Sequence, residues 1–216
     1  MHNPAPSHWA AVKHLLCYLC GTSTIVLTFH GSPNIAGTVL TGYVDADFAN
    51  ADNRRSVGAY AFFLGNSCIS WKSKQQATVA TSTAEAEFMA ASIAGHETIW
   101  LSRLLADFSL QQTSSTPLYE DNQGCIALAY NPVHRERSKR IDTRLHNIRE
   151  HTRSGALDLI YMPTAEMTAD VLTKALAKPA HVRHSRHLLG LCGNNDTFTV
   201  TRTMTAMHCV FASFLG

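Results

Sequence analysis

Residues 41–75 read TGYVDADFANADNRRSVGAYAFFLGNSCISWKSKQ, and this stretch decides the fold. Its first run, around Tyr43 and Val44, is β-rich and ends in the acids Asp45 and Asp47. Two further apolar runs, AYAFFL and CISWKS, are separated by Gly65, Asn66 and Ser67, a hairpin signal. Three antiparallel strands are therefore expected from Thr41 onward.

Downstream of these strands the period changes. Ser82 and Thr83 are good cap residues, and AEAEFMAASIAGHETIWLSRLLADF (84–108) then carries Phe88, Ile93, Ile99, Trp100, Leu104 and Leu105 at helical spacing, with Glu85 and Glu87 in its first turns. The run PLYED (117–121) reads as a short strand ending in acids, and NQGCIALAYN (122–131) as a helix. A basic helix from about Ser138 to His151, the strand LDLIYMP (157–163) and the helix AEMTADVLTKALA (165–177) complete the order. Three strands, a long helix, a strand, two helices, a strand and a helix predict an α/β architecture: a five-stranded mixed sheet, three strands antiparallel and two parallel, flanked by helices. After Lys178 the pattern weakens, with a short helix expected near Val182 to Leu189.

Upstream, Trp9, Val12, Leu15, Leu16 and Leu19 at helical spacing, with Gly21 as a stop, predict one amphipathic helix, followed by a strand and loose connector over 22–40. Cys17 and Cys20 form a CxxC within this helix, but no second CxxC exists, so they read as small core residues and not as metal ligands. The division that follows is 1–40 as a preceding remnant and connector, 41–177 as the central domain, and 178–216 as a tail.

With 45% hydrophobic and 16% charged residues, the chain has the composition of a soluble globular protein, not a disordered one. No apolar run reaches the roughly 18 residues of a membrane span, and six scattered cysteines without a secretory start predict a reduced intracellular compartment, cytoplasmic or nuclear. The net charge of +2 decides nothing, but seven of the 18 Lys and Arg residues fall between Arg135 and Arg153, a local excess suited to phosphates. The competing reading is a solvated helix face on which Glu136, Asp142 and Glu150 pair with the bases.

Four acids stand at the ends of apolar strands or on the helices beside them: Asp45, Glu87, Asp121 and Asp170. In this architecture they can converge, and converging carboxylates repel one another unless cations lie between them. Hard oxygen ligands suit Mg²⁺, with Mn²⁺ as a substitute, and two such ions roughly 3.5–4 Å apart are an apparatus for phosphodiester cleavage. Taken singly, each acid is more simply a cap or a solvated charge; the joint pattern favours a site. Asp47 shares the face of Asp45 only if the strand continues, Glu85 points to a different side of its helix from Glu87, and Glu120 should face away from Asp121 across the strand.

The runs GYVDADFANADNRRSVGAYAFFLGNSCISWKSKQQATVATSTAEAEFMAAS, LYEDNQGCIALAYNP, HRERSKRIDTRLHNIREH and TADVLTKAL resemble, in order and spacing, the ribonuclease H region of copia-type retrotransposon polyproteins. The resemblance covers about residues 1–176, and HWAAVKHLLCYLCGT looks like the end of the reverse transcriptase part. It implies a ribonuclease H-like fold, cleavage of the RNA strand of RNA–DNA hybrids with two Mg²⁺ ions, and the reverse transcriptase portion as partner, without a membrane. It places the four family acids on Asp45, Glu87, Asp121 and Asp170, and the step EFMA favours Glu87 over Glu85 as ligand. The loop MPTAEMTAD lacks the His that many ribonucleases H carry before the last Asp, and His146 and His151 are surface groups or substrate contacts rather than a replacement.

A hybrid is distinguished by 2′-hydroxyls in a shallow minor groove and by phosphates on both strands. Asn53, Ser82, Thr83, Asn122 and Gln123 are candidates for the former, and Lys139, Arg140 and Arg144, with Arg135 and Arg149, for the latter. The alternative function is a transposon-derived remnant that binds nucleic acid or folds without cleaving.

Overall fold

A computed structural model describes residues 5–31, 39–50, 53–130 and 147–191. Three antiparallel strands, β1 (Leu40–Asp47), β2 (Val57–Leu64) and β3 (Ser67–Gln75), are followed by helix α2 (Thr83–Asp107), strand β4 (Thr116–Glu120) and helix α3 (Gln123–Tyr130). A helical stretch over 147–153 (α4), strand β5 (Leu157–Tyr161) and helix α5 (Lys178–Leu188) complete this part, and α1 (Pro6–Gly21) precedes it. The sheet order is β3-β2-β1-β4-β5, with β4 parallel to both β1 and β5. This is the mixed α/β sheet expected from the sequence.

The hairpin between β2 and β3 turns at Gly65, whose φ of 62° lies in the left-handed region where a residue without Cβ is unstrained. Ser82 caps α2 by accepting a hydrogen bond from the Glu85 amide at 3.2 Å. Helix α2 packs on one sheet face, where Leu40, Val44, Phe62, Leu118, Leu157 and Leu159 are buried; α5 lies on the other with Ala61, Phe63, Leu172 and Leu188. Both sheet faces are covered, as a sheet with parallel strands requires.

Several expectations change. The buried stripe of α2 keeps only part of the large apolar set: Phe88 and Leu105 are buried, but Ile93 and Trp100 are exposed, and Ala91, Ala94, Thr98 and Leu101, spaced three and four apart with Leu105, complete the stripe. Small side chains allow the long helix to lie close to the strands, and Ala90 would meet a Cβ added at Gly58 at 3.1 Å. The helix expected over 165–177 is replaced by two 3₁₀ turns, Thr164–Glu166 and Thr168–Leu172, separated by Met167 with an extended ψ of 100°. Residues 167–173 are all buried, leaving no solvent face for an amphipathic helix, and the β-branched Thr164, Thr168, Val171 and Thr173 weaken helix formation there.

The third change is in α1, which forms as expected but buries no residue: Trp9 and Leu16 are exposed, and Cys17 and Cys20 are free, exposed thiols and not core residues. The apolar face of α1 is only half-buried at Val12, Leu15, Tyr18 and Leu19, with Tyr18 edge-on to His181 of α5 at 6.2 Å. Among the described residues between 22 and 39, the expected strand is represented by an isolated bridge at Leu27. The expected tail helix near Val182 starts earlier, at Lys178, with Pro179 in its first turn. Among the described residues no helix is long and apolar enough to cross a membrane.

Candidate active site

Parallel pairing of β1 with β4 sets the site. Gly42 pairs with Leu118 and Tyr43 with Tyr119, so Asp45 and Asp121, each two residues further on, come to the same end of adjacent parallel strands. Helix α2 lies across β1 and brings Glu87 from its second turn, and the second 3₁₀ turn brings Asp170. Asp45, Asp121 and Asp170 each offer a carboxylate oxygen within 4.8 Å of the others, and Glu87, Glu120 and Asp121 form a second such triad. Asp121 belongs to both.

Glu120 was expected to face away and does not. In β4 the residues Thr116, Leu118 and Glu120 alternate onto the buried face, and Glu120 is fully buried. The strand ends at Glu120, so the alternation that would separate it from Asp121 stops there, and the turn brings Asp121 back to the same cluster. Its Oε1 accepts from the Asn122 amide at 3.0 Å, whereas Oε2 of Glu120 and Oε2 of Glu87 are buried with no hydrogen-bond partner.

Asp45 is differently placed. Thr173 Oγ1 donates to its Oδ2, and Lys174 Nζ lies 2.9 Å from its Oδ1 and 3.1 Å from Asp170 Oδ1. Lys174 and Thr173 were not singled out from the sequence; the signal was the i,i+4 spacing of Asp170 and Lys174, which on a helical turn brings opposite charges together. Asp121 accepts a hydrogen bond from Thr164 Oγ1 at 2.6 Å. Asp47 does lie in the continued strand, but its nearest partner is Asn50. Glu85 accepts from Thr81 N at 2.8 Å and from its hydroxyl, and so secures the start of α2 away from the cluster.

The charges record this crowding. Burial, then the Glu120, Asp45 and Asp121 charges, pushes the Glu87 carboxyl up to about 11. Burial pushes Glu120 up to about 8 despite the Asn122 hydrogen bond, and burial with the Asp45 charge pushes Asp170 up to about 6. Burial alone would lower the Lys174 ammonium, but Asp45 and Asp170 outweigh it and hold it above its ordinary range. Five carboxylates face one ammonium among the described residues, and two buried oxygens have no partner. A donor set of this kind fits hard divalent cations such as Mg²⁺ or Mn²⁺.

The other sequence candidates are spread more widely. Ser82 is engaged as the α2 cap, with Thr83 exposed as the first helical residue. Asn122 Oδ1 accepts from Cys125 N at 3.0 Å and so caps α3, and Gln123 is exposed at its start. Asn53 pairs its amide with Gln75 at 3.3 Å. Arg149 donates to the Leu128 carbonyl at 2.9 Å, tying α4 to α3, and the His151 ring lies edge-on to His96. Arg135, Lys139, Arg140, Arg144 and His146, most of the expected basic helix, lie outside the described residues.

Relatives cover most of the sequence. The chain is 43% identical over 179 residues, 82% of its length, to the Retrovirus-related Pol polyprotein from transposon TNT 1-94 of Nicotiana tabacum. It is 37% identical over 191 residues, 87% of its length, to the corresponding polyprotein from transposon RE2 of Arabidopsis thaliana. The chain belongs to the copia-type retrotransposon Pol family. It spans 13% of the length of each of these two Pol polyproteins. No protein-family model matches it. Among solved structures, the N-terminal RNase H domain of a Mycobacterium tuberculosis protein superposes with a TM-score of 0.47 at 8% identity, covering 69% of this chain and 98% of that one. Strand order and direction in this Pol segment are those of a five-stranded mixed α/β sheet, three strands antiparallel and two added in parallel.

Proposed function

We propose that this Pol segment is a metal-dependent endonuclease that hydrolyses the RNA strand of RNA–DNA hybrids, acting beside the reverse transcriptase portion of its polyprotein. The observation that carries the reading is the pair of carboxylate triads sharing Asp121, with Glu87 Oε2 and Glu120 Oε2 buried and unpartnered beside them. Such oxygens are costly to bury unless a cation takes them up.

Asp45, Asp121 and Asp170 would hold one ion, and Glu87, Glu120 and Asp121 the other. When bound, two such ions supply an activated water and stabilise the leaving oxygen of an in-line displacement, so no protein nucleophile is needed. The chain's own contribution is to fix the ligands. Parallel strands set the separation of Asp45 and Asp121, Thr164 orients Asp121, and Thr173 orients Asp45. Asn53, Ser82, Thr83, Asn122 and Gln123 stand as candidates for the hybrid's sugar hydroxyls, and Lys139, Arg140 and Arg144 for its phosphates.

The test is cleavage of end-labelled RNA in a hybrid, beside single-stranded RNA, double-stranded RNA and duplex DNA, with Mg²⁺, Mn²⁺ or EDTA. RNA fragments from the hybrid alone, and only with metal, are expected. No cleavage of any substrate by correctly folded protein would leave a non-cleaving remnant, and equal cleavage of duplex DNA would point to a different nuclease.

A further inference from the structure

The two triads share Asp121 but not their surroundings. Both oxygens of Asp45 are engaged, Oδ2 by the Thr173 hydroxyl and Oδ1 by the Lys174 ammonium, which also reaches Asp170. No ammonium or guanidinium is ion-paired to Glu87 or Glu120 among the described residues, and one oxygen of each is buried and unpartnered. One half of the cluster therefore already holds an ammonium, and among the described residues the other holds none.

We propose that Lys174 is a tethered cation that competes with a metal ion for Asp45 and Asp170, so that the Glu87–Glu120–Asp121 half fills first and the Asp45–Asp121–Asp170 half fills only when Lys174 is displaced. This rests on the reading of the cluster as a divalent-metal site. An ion bound to Asp45 and Asp170 and the Lys174 ammonium seek the same carboxylates, and two cations in one such space repel strongly. The lysine can yield. Its side chain is 30% exposed, so the freed ammonium can turn into water, whereas its backbone is held by a 2.9 Å bond from Lys174 N to the Asp170 carbonyl. Lys174 thus neutralises half of the acidic cluster in the metal-free protein and sets a higher concentration threshold for the second ion than for the first.

The proposal is tested with Mn²⁺ alone as the probe, counting bound ions by electron paramagnetic resonance and calorimetry on the full chain. The parent is compared with Lys174→Met, Lys174→Gln and Lys174→Arg. The parent should bind two ions in separable steps. Loss of the ammonium in the Met and Gln variants should tighten the weaker step by about tenfold or more, the scale of a charge-assisted hydrogen bond given up, and leave the tighter step within a few-fold. Lys174→Arg, which keeps the charge, should follow the parent. The metal-free Met and Gln variants should also melt at lower temperature than the parent, with the deficit removed by Mn²⁺. If one neutral variant does not fold, the other and the Arg variant carry the comparison. A weaker step that is unchanged or weakened in the folded neutral variants would overturn the role of Lys174 while leaving the metal site standing. Absence of Mn²⁺ binding in the parent would overturn both.

Discussion

Loading the cluster with divalent metal should expel protons, because two of its ligands hold them at neutral pH. Glu87 is pushed up to about 11 and Glu120 to about 8, so without metal at pH 7 both hold most of a proton, whereas Asp170, at about 6, is mainly ionised. Coordination requires the carboxylates, so filling both halves should release close to two protons, shared between Glu87 and Glu120 as a pair. Apparent affinity for the ion held by that pair should rise by up to about tenfold per pH unit for each proton displaced. Calorimetric titration of Mg²⁺ in buffers of different ionisation enthalpy measures the count directly. Glu87→Gln, which places a neutral amide where the protonated acid stood, should lower it by about one. Heats of binding that do not depend on the buffer would refute the reasoning, since they would mean the buried acids are already ionised or do not bind the ion.

Further outcomes follow from the same geometry. Glu120 and Asp170 have folded values raised above the ordinary carboxyl range, so their protonated forms favour folding at low pH and that contribution is lost as pH rises through about 6 and then about 8. The melting temperature in EDTA should therefore be lower at pH 8.5 than at pH 5, with Mg²⁺ reversing the trend; a rise in EDTA would contradict the assignment. Thr173→Val removes the buried hydroxyl that donates to Asp45 and should cost about 1–3 kcal/mol in urea unfolding without metal. An unaltered midpoint would show that this bond is not made in solution. Replacing Arg140 and Arg144 by Ala should reduce the slope of log hybrid affinity against log salt by roughly one per lost phosphate contact, and an unchanged slope would reduce the basic run to a solvated face.

Much of this fold was legible because local signals agreed with the tertiary arrangement. Gly65 and Asn66 closed the hairpin where expected, Ser82 capped α2, and the acids at the ends of β1 and β4 marked the strand ends that parallel pairing brings together. What escaped was set by packing. Alanines, not Ile93 and Trp100, face the sheet in α2, a choice decided by how close the helix lies and not by hydrophobicity. Seven consecutive buried residues, 167–173, erased the amphipathic pattern that would have distinguished a helix from 3₁₀ turns. Glu120 was assigned to the wrong face because strand alternation was carried one residue beyond the end of β4. For Lys174 the i,i+4 spacing from Asp170 is visible in ADVLTKAL, but that its ammonium also reaches Asp45 on β1 is set by tertiary packing and not by local sequence.

The central claim is that the shared ligand Asp121 makes this cluster a nuclease, and its most direct test is the rate at which the parent and Asp121→Asn cut the RNA strand of a labelled hybrid in Mg²⁺. The assay is best run with and without the reverse transcriptase portion, and with folding of both proteins confirmed by circular dichroism. The account predicts hybrid-specific cleavage by the parent and none by Asp121→Asn, with the variant at least as stable as the parent in EDTA because one clustered negative charge is gone. Cleavage by Asp121→Asn at the parental rate, or a folded parent that never cuts, would contradict it.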